Sequence, residues 1–469
     1  MITANTRPPG SDISGRASGL LRTIAAQRRS LLGTQLRKNV LVGTGSAGLN
    51  AAISLLSYPI YLYFLGYQTY GIWLALSTVL TFAQMGNLGI GPAVSKLVAE
   101  SHATGDNVGV HKYLTNSWIA LSIVGILIVV SIVSLTKPIV ALFGLIGYNA
   151  RIMTSFMPYI ALFSVYVFVV ELSNAALVGL GRADLESYFR TLSQVLALAL
   201  SAVLLFLNFG MVSLLAGNLL GYLFMHVVGI RAIRAISGPG LMARRHIDAR
   251  HLSRVIRFGG WVFGTTVITM TLHPINRILI SRYAGVGALP LYEIAFGSSM
   301  RIRSLLEGGI RAMMPEISRL TTSVTQQTLE RAAGLKKAGD RVIFTAGVPI
   351  YFLLILLASP LLKLWLRGQY QAGFPSVFRI MLIGSFASLI GMPSYYILMG
   401  LGEARSCLMS AVLQFVATFG TVAVVAFLGG AISVMTVSFS LVVGISLCTI
   451  SLLVRMRQIS TLPVPGLNS

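Results

Sequence analysis

Twelve long apolar runs dominate this chain and leave it few possible folds. They cover approximately residues 40–65, 70–91, 114–135, 155–180, 190–208, 211–231, 257–282, 290–312, 342–362, 375–399, 406–428 and 431–454. About 20 apolar residues in a helix cross the hydrocarbon core of a bilayer. Inside that core the backbone finds no water, so only helices or a closed barrel can span it. A barrel would show alternating segments of ~10 residues, whereas these runs are longer and continuous. Only 10% of the residues are charged, against about 25% in soluble domains. The expected fold is an all-α integral membrane protein with about twelve transmembrane helices.

Basic residues set the expected orientation. With the N-terminus inside, 27 of the 36 Lys and Arg residues fall in cytoplasmic segments and six on the other side. That is a strong positive-inside bias, and it puts both termini in the cytoplasm. It also accounts for the net charge of +23, so no nucleic-acid partner is expected. Residues 1–38 read as a disordered basic cytoplasmic tail, 39–231 as a first lobe of spans one to six, and 232–256 as a basic cytoplasmic connection. The connection is partly amphipathic and is expected to lie along the membrane surface. Residues 257–457 read as a second lobe of spans seven to twelve, and 458–469 as a C-terminal tail. Cys407 and Cys448 lie in or beside apolar spans and suggest neither a disulfide framework nor a metal site. No cofactor is expected, and a monomer is.

The two lobes read as copies. "LVGLGRA" (Leu177 to Ala183) recurs as "LMGLGEA" (Leu398 to Ala404), an offset of 221 residues. At nearly the same offset "GYQTYGIW" from Gly66 faces "GALPLYEIA" from Gly287, and "GPAVSKLVAE" from Gly91 corresponds loosely to "MMPEISRL" from Met313. Six spans per copy give both the same orientation. Such a parallel repeat has its pseudo-axis along the membrane normal and its substrate site between the halves.

Charge inside the spans is sparse and therefore informative. A charged side chain at mid-membrane costs about 2.5–3.5 kcal/mol on insertion scales, so it should face a cavity or a partner. Glu171, His226, His273, Arg277, Glu293, Arg301, Arg303 and Glu307 are so placed. Arg301 and Arg303 lie about 200° apart around a helix and cannot share a face. Arg303 and Glu307 are four residues apart and can form a structural ion pair. Arg301 has only Gly297, Ser298, Ser304 and Gly308 within a turn, a small polar face suited to a water-filled anion cavity. The alternative for it is a partner on another helix, such as Glu171. Arg277 can face the cavity or reach outward with Arg282, and Pro274 should kink its helix. The candidate substrate-binding residues are Arg301, Arg277, Glu171, His273 and Glu293. His226 reads as packed, and Trp73 and Trp365 as interfacial anchors.

The order of "YGIW" at the start of span two, "GNLGIGPAVSKLVAE" at its end and "GLGRADL" after span four resembles the polysaccharide-biosynthesis branch of the MATE/MOP flippase superfamily. Within it, the chain is most similar to Wzx-type flippases of O-antigen and exopolysaccharide pathways. The resemblance implies two six-helix lobes around a central cavity and alternating access. It implies export of an undecaprenyl-diphosphate-linked oligosaccharide across the bacterial inner membrane. Membrane lipids, a polysaccharide polymerase and export proteins are the implied partners. One departure is Asn87 in "MGNLG", where relatives often carry an acid; it puts carboxylate-based proton coupling there in doubt. A MATE-type drug or ion antiporter and a lipid II flippase of peptidoglycan synthesis share the fold and remain alternatives. No phosphate-binding G-x-x-x-x-G-K-[ST] loop occurs. The longest outward loop, about 136–154, holds no acid or histidine, so an enzyme such as a polymerase is not expected.

Overall fold

The computed structural model describes residues 12–87, 89–238, 247–308, 310, 317 and 326–461. Among them the chain is helical: α1 (Asp12–Met85), α2 (Ile90–Ala103), α3 (Asn107–Ser134), α4 (Thr136–Leu142), α5 (Gly147–Gly179), α6 (Ala183–Phe206) and α7 (Val212–Ser237) come first. Then follow α8 (Ala249–Ala284), α9 (Leu289–Glu307), α10 (Gln326–Val342), α11 (Val348–Leu356), α12 (Ala358–Leu366), α13 (Phe374–Gly400), α14 (Ala404–Phe427) and α15 (Val434–Thr461). Nine of the described helices are long and apolar enough to cross a membrane. One of these, α1, contributes two crossings. Gly66 breaks it at φ 66° and ψ 175°, and the Tyr61 and Tyr70 rings then meet at 5.7 Å. A straight helix would hold residues nine apart at roughly 13 Å. With the charged helices α8 and α9, the crossings among the described residues number twelve.

The duplication is written in the backbone hydrogen bonds. Gly181 N–H bonds Val178 O and Arg182 N–H bonds Leu177 O; Gly402 N–H bonds Met399 O and Glu403 N–H bonds Leu398 O. Both are the helix-ending arrangement in which a left-handed glycine turns the chain to satisfy orphan carbonyls, with φ 77° at Gly181 and 84° at Gly402. The turns after α6 and α14 repeat in the same way. Asn208 bonds Leu205 O and Phe209 bonds Leu204 O, as Gly429 bonds Ala426 O and Gly430 bonds Val425 O. Gly66 and Gly285, both at positive φ with extended ψ, open matching turns. The short helices α4 and α12 also correspond.

Several expected boundaries move. Span two ends at Met85, and α2 starts anew at Ile90 because Gly89, its N-cap, takes φ 69°. The outward stretch 136–154 is largely helical, in α4 and the start of α5. The tail expected to be disordered is helical from Asp12; its Leu, Ala, Gln and Arg residues are good helix formers. The 232–256 connection is shorter than expected. Helix α7 extends to Ser237 and α8 starts at Ala249, and residues 239–246 lie outside the described residues. Trp73 is buried in the core and so does not face lipid as an anchor would, while Trp365 is partly buried and packs edge-on against Tyr58 at 6.1 Å. Each aromatic ring fills space between helices that a linear pattern does not reveal.

The lobes meet at the end that carries the Gly66 and Gly285 turns. Tyr67 Oη donates to Gln369 O at 2.5 Å, Ser281 Oγ to Phe143 O at 2.8 Å, and Arg282 Nη1 to Ala141 O at 3.2 Å. A β-carbon on Gly71 would lie 2.0 Å from Val286 O, so only glycine lets these turns approach. Gly71→Ala should therefore cost about 1–3 kcal/mol through overpacking, and an unchanged melting temperature of the purified protein would refute this close approach. At the opposite, basic end, α8 begins on the first lobe. Asp248 Oδ1 accepts from Arg250 N–H at 2.9 Å, Asp248 N–H donates to Asn116 Oδ1 at 3.1 Å, and Arg254 Nη1 donates to Tyr113 Oη at 2.8 Å. The hydrogen bond from Arg250, with His251 and Lys112 nearby, holds the Asp248 carboxyl below the usual carboxylate range.

Candidate functional site between the lobes

Helix α9 presents Glu293, Gly297 and Arg301 at successive turns, spacings of four that put them on one face. That face meets the first lobe, since a β-carbon on Gly297 would lie 2.3 Å from Tyr58 Oη. Helix α8 adds His273 and Arg277, also one turn apart, and contains Pro274 within its run. The three helices thus bring polar groups together that no single span could carry at low cost.

Arg277 is buried and Glu293 holds it. Arg277 Nη2 lies 2.6 Å from Glu293 Oε2 and Nε lies 3.0 Å from the same oxygen. Arg277 Nη1 donates to Thr78 Oγ1 of the first lobe at 3.4 Å. His273 Nε2 approaches Glu293 Oε2 at 3.2 Å, while its Nδ1 lies 3.4 Å from Tyr292 Oη. Tyr292 Oη accepts from Asn276 Nδ2 at 3.2 Å. This order suits a neutral imidazole that accepts from Tyr292 and donates to Glu293. The imidazole also stacks on Phe296 with centroids 4.3 Å apart.

Arg301 differs from its neighbours. Tyr58 Oη lies against Gly297, one turn before Arg301 on the same face, and Arg301 Nε is buried without a hydrogen-bond partner among the described residues. Among the described residues no carboxylate lies within 4.0 Å of it. Glu171, the partner it was offered by sequence, instead binds Arg190 at 3.3 Å, and Arg190 also binds Glu186 at 2.6 Å. The structure thus places Glu171 in an ion-pair group within the first lobe and does not bring it to the Arg277–Glu293 cluster. Its α5–α6 pairing depends on where two helices meet, which the sequence does not state. Arg303 points away from the α9 stripe: its Nη2 lies 3.3 Å from Glu307 Oε2 and its Nη1 donates to Ser388 Oγ at 2.8 Å. Tyr396 donates a short hydrogen bond to Glu307. His226 packs against Tyr166.

Sequence reasoning missed Tyr58, Thr78, Asn276 and Tyr292. Tyrosine and threonine are ordinary in apolar spans, and only the neighbours mark these as part of the site. A usable signal existed for Asn276, three residues after His273 and so on the same helix face. Among the described residues no group of His, Cys, Asp and Glu could hold a metal ion.

Two helical lobes with a polar cluster between them define the class. The fold is that of multi-pass transporters of the MATE/MOP superfamily. The chain is similar to a multidrug resistance MATE family transporter of the MOP superfamily in an inward-facing conformation, with TM-score 0.71 and 16% identity over 92% of this chain and 98% of the other. It is also similar to a MOP superfamily transporter from Pyrococcus furiosus, with TM-score 0.57 and 15% identity over 91% and 95% of the two chains. Residues 36–321 match the family described as "Polysaccharide biosynthesis protein", and the chain belongs to that family. A relative named "Putative O-antigen transporter" from Shigella flexneri is 20% identical over 160 residues. That match covers 34% of this chain and 37% of the relative. The chain thus joins membership of the polysaccharide-biosynthesis family to the fold of the MATE/MOP transporters, and its match spans little more than a third of the length of that curated relative.

Proposed function

We propose that this transporter moves an undecaprenyl-diphosphate-linked oligosaccharide across the bacterial inner membrane by alternating access, to supply surface or exopolysaccharide synthesis. The observation that carries the reading is Arg301: a guanidinium between the lobes, on a face of small residues, with no carboxylate beside it among the described residues. A planar fork of donors matches phosphate oxygens. The pyrophosphate of the lipid carrier would dock there while its apolar chain stays in the bilayer. Glu293 is already neutralised by Arg277, which favours an anionic headgroup over the cations a drug exporter would carry. The lobe contacts at the Gly66 end support an inward-open state, with the basic end, and both termini, cytoplasmic.

The test is direct. Proteoliposomes holding the purified protein and a fluorescent undecaprenyl-diphosphate oligosaccharide should make the label accessible to a membrane-impermeant reagent faster than empty vesicles do. Equal rates would sink the reading. A reporter fused near residue 245 should report a cytoplasmic location; a periplasmic signal would invert the proposed topology.

A further inference from the structure

A second feature lies away from the lobe interface, on the bilayer-facing side of the second lobe at its basic end. Helices α14 and α15 enclose a cleft of about 480 Å³, within the range of small-molecule sites. One wall is Arg405, Met409 and Leu413, spaced by four on α14; the other is Leu447, Ile450 and Val454 on α15. The apolar members are between 38% and 59% exposed, so the cleft opens sideways along its length. Its depth on α14, eight residues, is about 12 Å.

The mouth is cationic. Arg455 is neutralised by Glu403, with Nη2 3.0 and 3.1 Å from the two carboxylate oxygens. Ser406 Oγ also donates to Glu403 at 2.7 Å. Arg405 is exposed and makes no hydrogen bond or ion pair with any described residue. It is therefore the surplus charge of the mouth. The duplicated first lobe provides the contrast. The position matching Arg405 is Asp184, buried and bound to Arg182 at 3.1 Å and Lys38 at 3.2 Å. One copy neutralises this corner internally, and the other presents a cation unpaired among the described residues over an apolar slot.

We infer that the α14–α15 cleft is a binding site for an anionic phospholipid of the surrounding leaflet, its phosphate on Arg405 and an acyl chain along Met409, Leu413 and Ile450. An ionic mouth continuous with apolar walls open to the bilayer suits a charged amphiphile. A sugar would not satisfy the walls, and a neutral lipid would leave Arg405 unmatched. Basic pockets between spans recognise lipid phosphates in this way. The site is independent of the Arg301 cluster, so its failure would leave the transport reading intact.

The experiment equilibrates the detergent-purified chain with phosphatidylglycerol or phosphatidylcholine of identical acyl chains and counts retained lipid by native mass spectrometry. The wild type should retain phosphatidylglycerol preferentially. Arg405→Gln, at an exposed residue with no partner among the described residues, should lower that retention about fivefold with an unchanged melting temperature. Ile450→Trp, which fills the slot, should lower it as well. Arg151→Gln, an exposed cation at the opposite end, should not. Equal retention by Arg405→Gln, or an equal loss in Arg151→Gln, overturns the site. Displacement of the lipid by millimolar inorganic phosphate would mean a simple anion site and also overturns it. A change of oligomeric mass in Arg405→Gln would assign the cleft to a second copy of the chain instead.

Discussion

Arg301→Ala abolishes surface polysaccharide while the amount of folded protein stays normal: this is the result expected if the guanidinium serves the substrate. Arg301 has no ion pair to lose among the described residues, so truncation leaves no buried carboxylate uncompensated. What it loses is the fork. Charged hydrogen bonds contribute roughly 1.5–3 kcal/mol each, so losing two weakens headgroup binding by ~10²-fold or more. Arg301→Lys should rescue only in part, because a point charge replaces a planar fork. Arg303→Ala should do the reverse. It removes the ion-pair partner of the buried Glu307, which Tyr396 also hydrogen-bonds, costs about 1–3 kcal/mol, and mainly lowers the yield of folded protein. Complementation of a strain lacking the transporter, read as polysaccharide on gels beside quantified membrane protein, separates the two. Normal polysaccharide in Arg301→Ala would remove the substrate role.

The second large effect is on folding. Arg277 and Glu293 are both deeply placed, and breaking such a pair from one side typically costs about 3–5 kcal/mol. Arg277→Ala strands Glu293 beside His273 alone, and Glu293→Ala strands Arg277 against Thr78. Either variant should sharply reduce monodisperse protein on size-exclusion chromatography and lower the melting temperature. Replacing both together, Arg277→Met with Glu293→Leu, should recover much of that loss, since apolar residues can substitute for a buried pair without leaving a naked charge. Single variants as stable as the wild type would mean that water already solvates both groups. A double variant no better than either single would mean that the pair's geometry, and not its charge balance, holds the lobes.

Much of this architecture is legible along the chain. Runs of about 20 apolar residues specify helical crossings because the bilayer core offers the backbone no other partner. Recurrence of "GLGRA" and "GLGEA" identifies a duplicated unit because a left-handed glycine is needed at the same turn in both copies. The four-residue spacing of Arg303 and Glu307 places the two on one helix face, since that separation nearly closes a turn.

Other features belong only to the assembled molecule. No spacing announces that Glu171 meets Arg190 while Glu293 meets Arg277, or that Trp73 lies in the core. Nor does any motif mark Tyr58 and Thr78, whose roles come from the helices that face them. A sequence reports which residues share one helix face, because backbone geometry is local. Which faces meet is decided by packing across hundreds of residues. The sequence by itself determined a twelve-span, duplicated membrane protein with a few costly charges. Only the tertiary structure decided which of those charges neutralise one another, and that Arg301 stands between the lobes with no carboxylate beside it among the described residues.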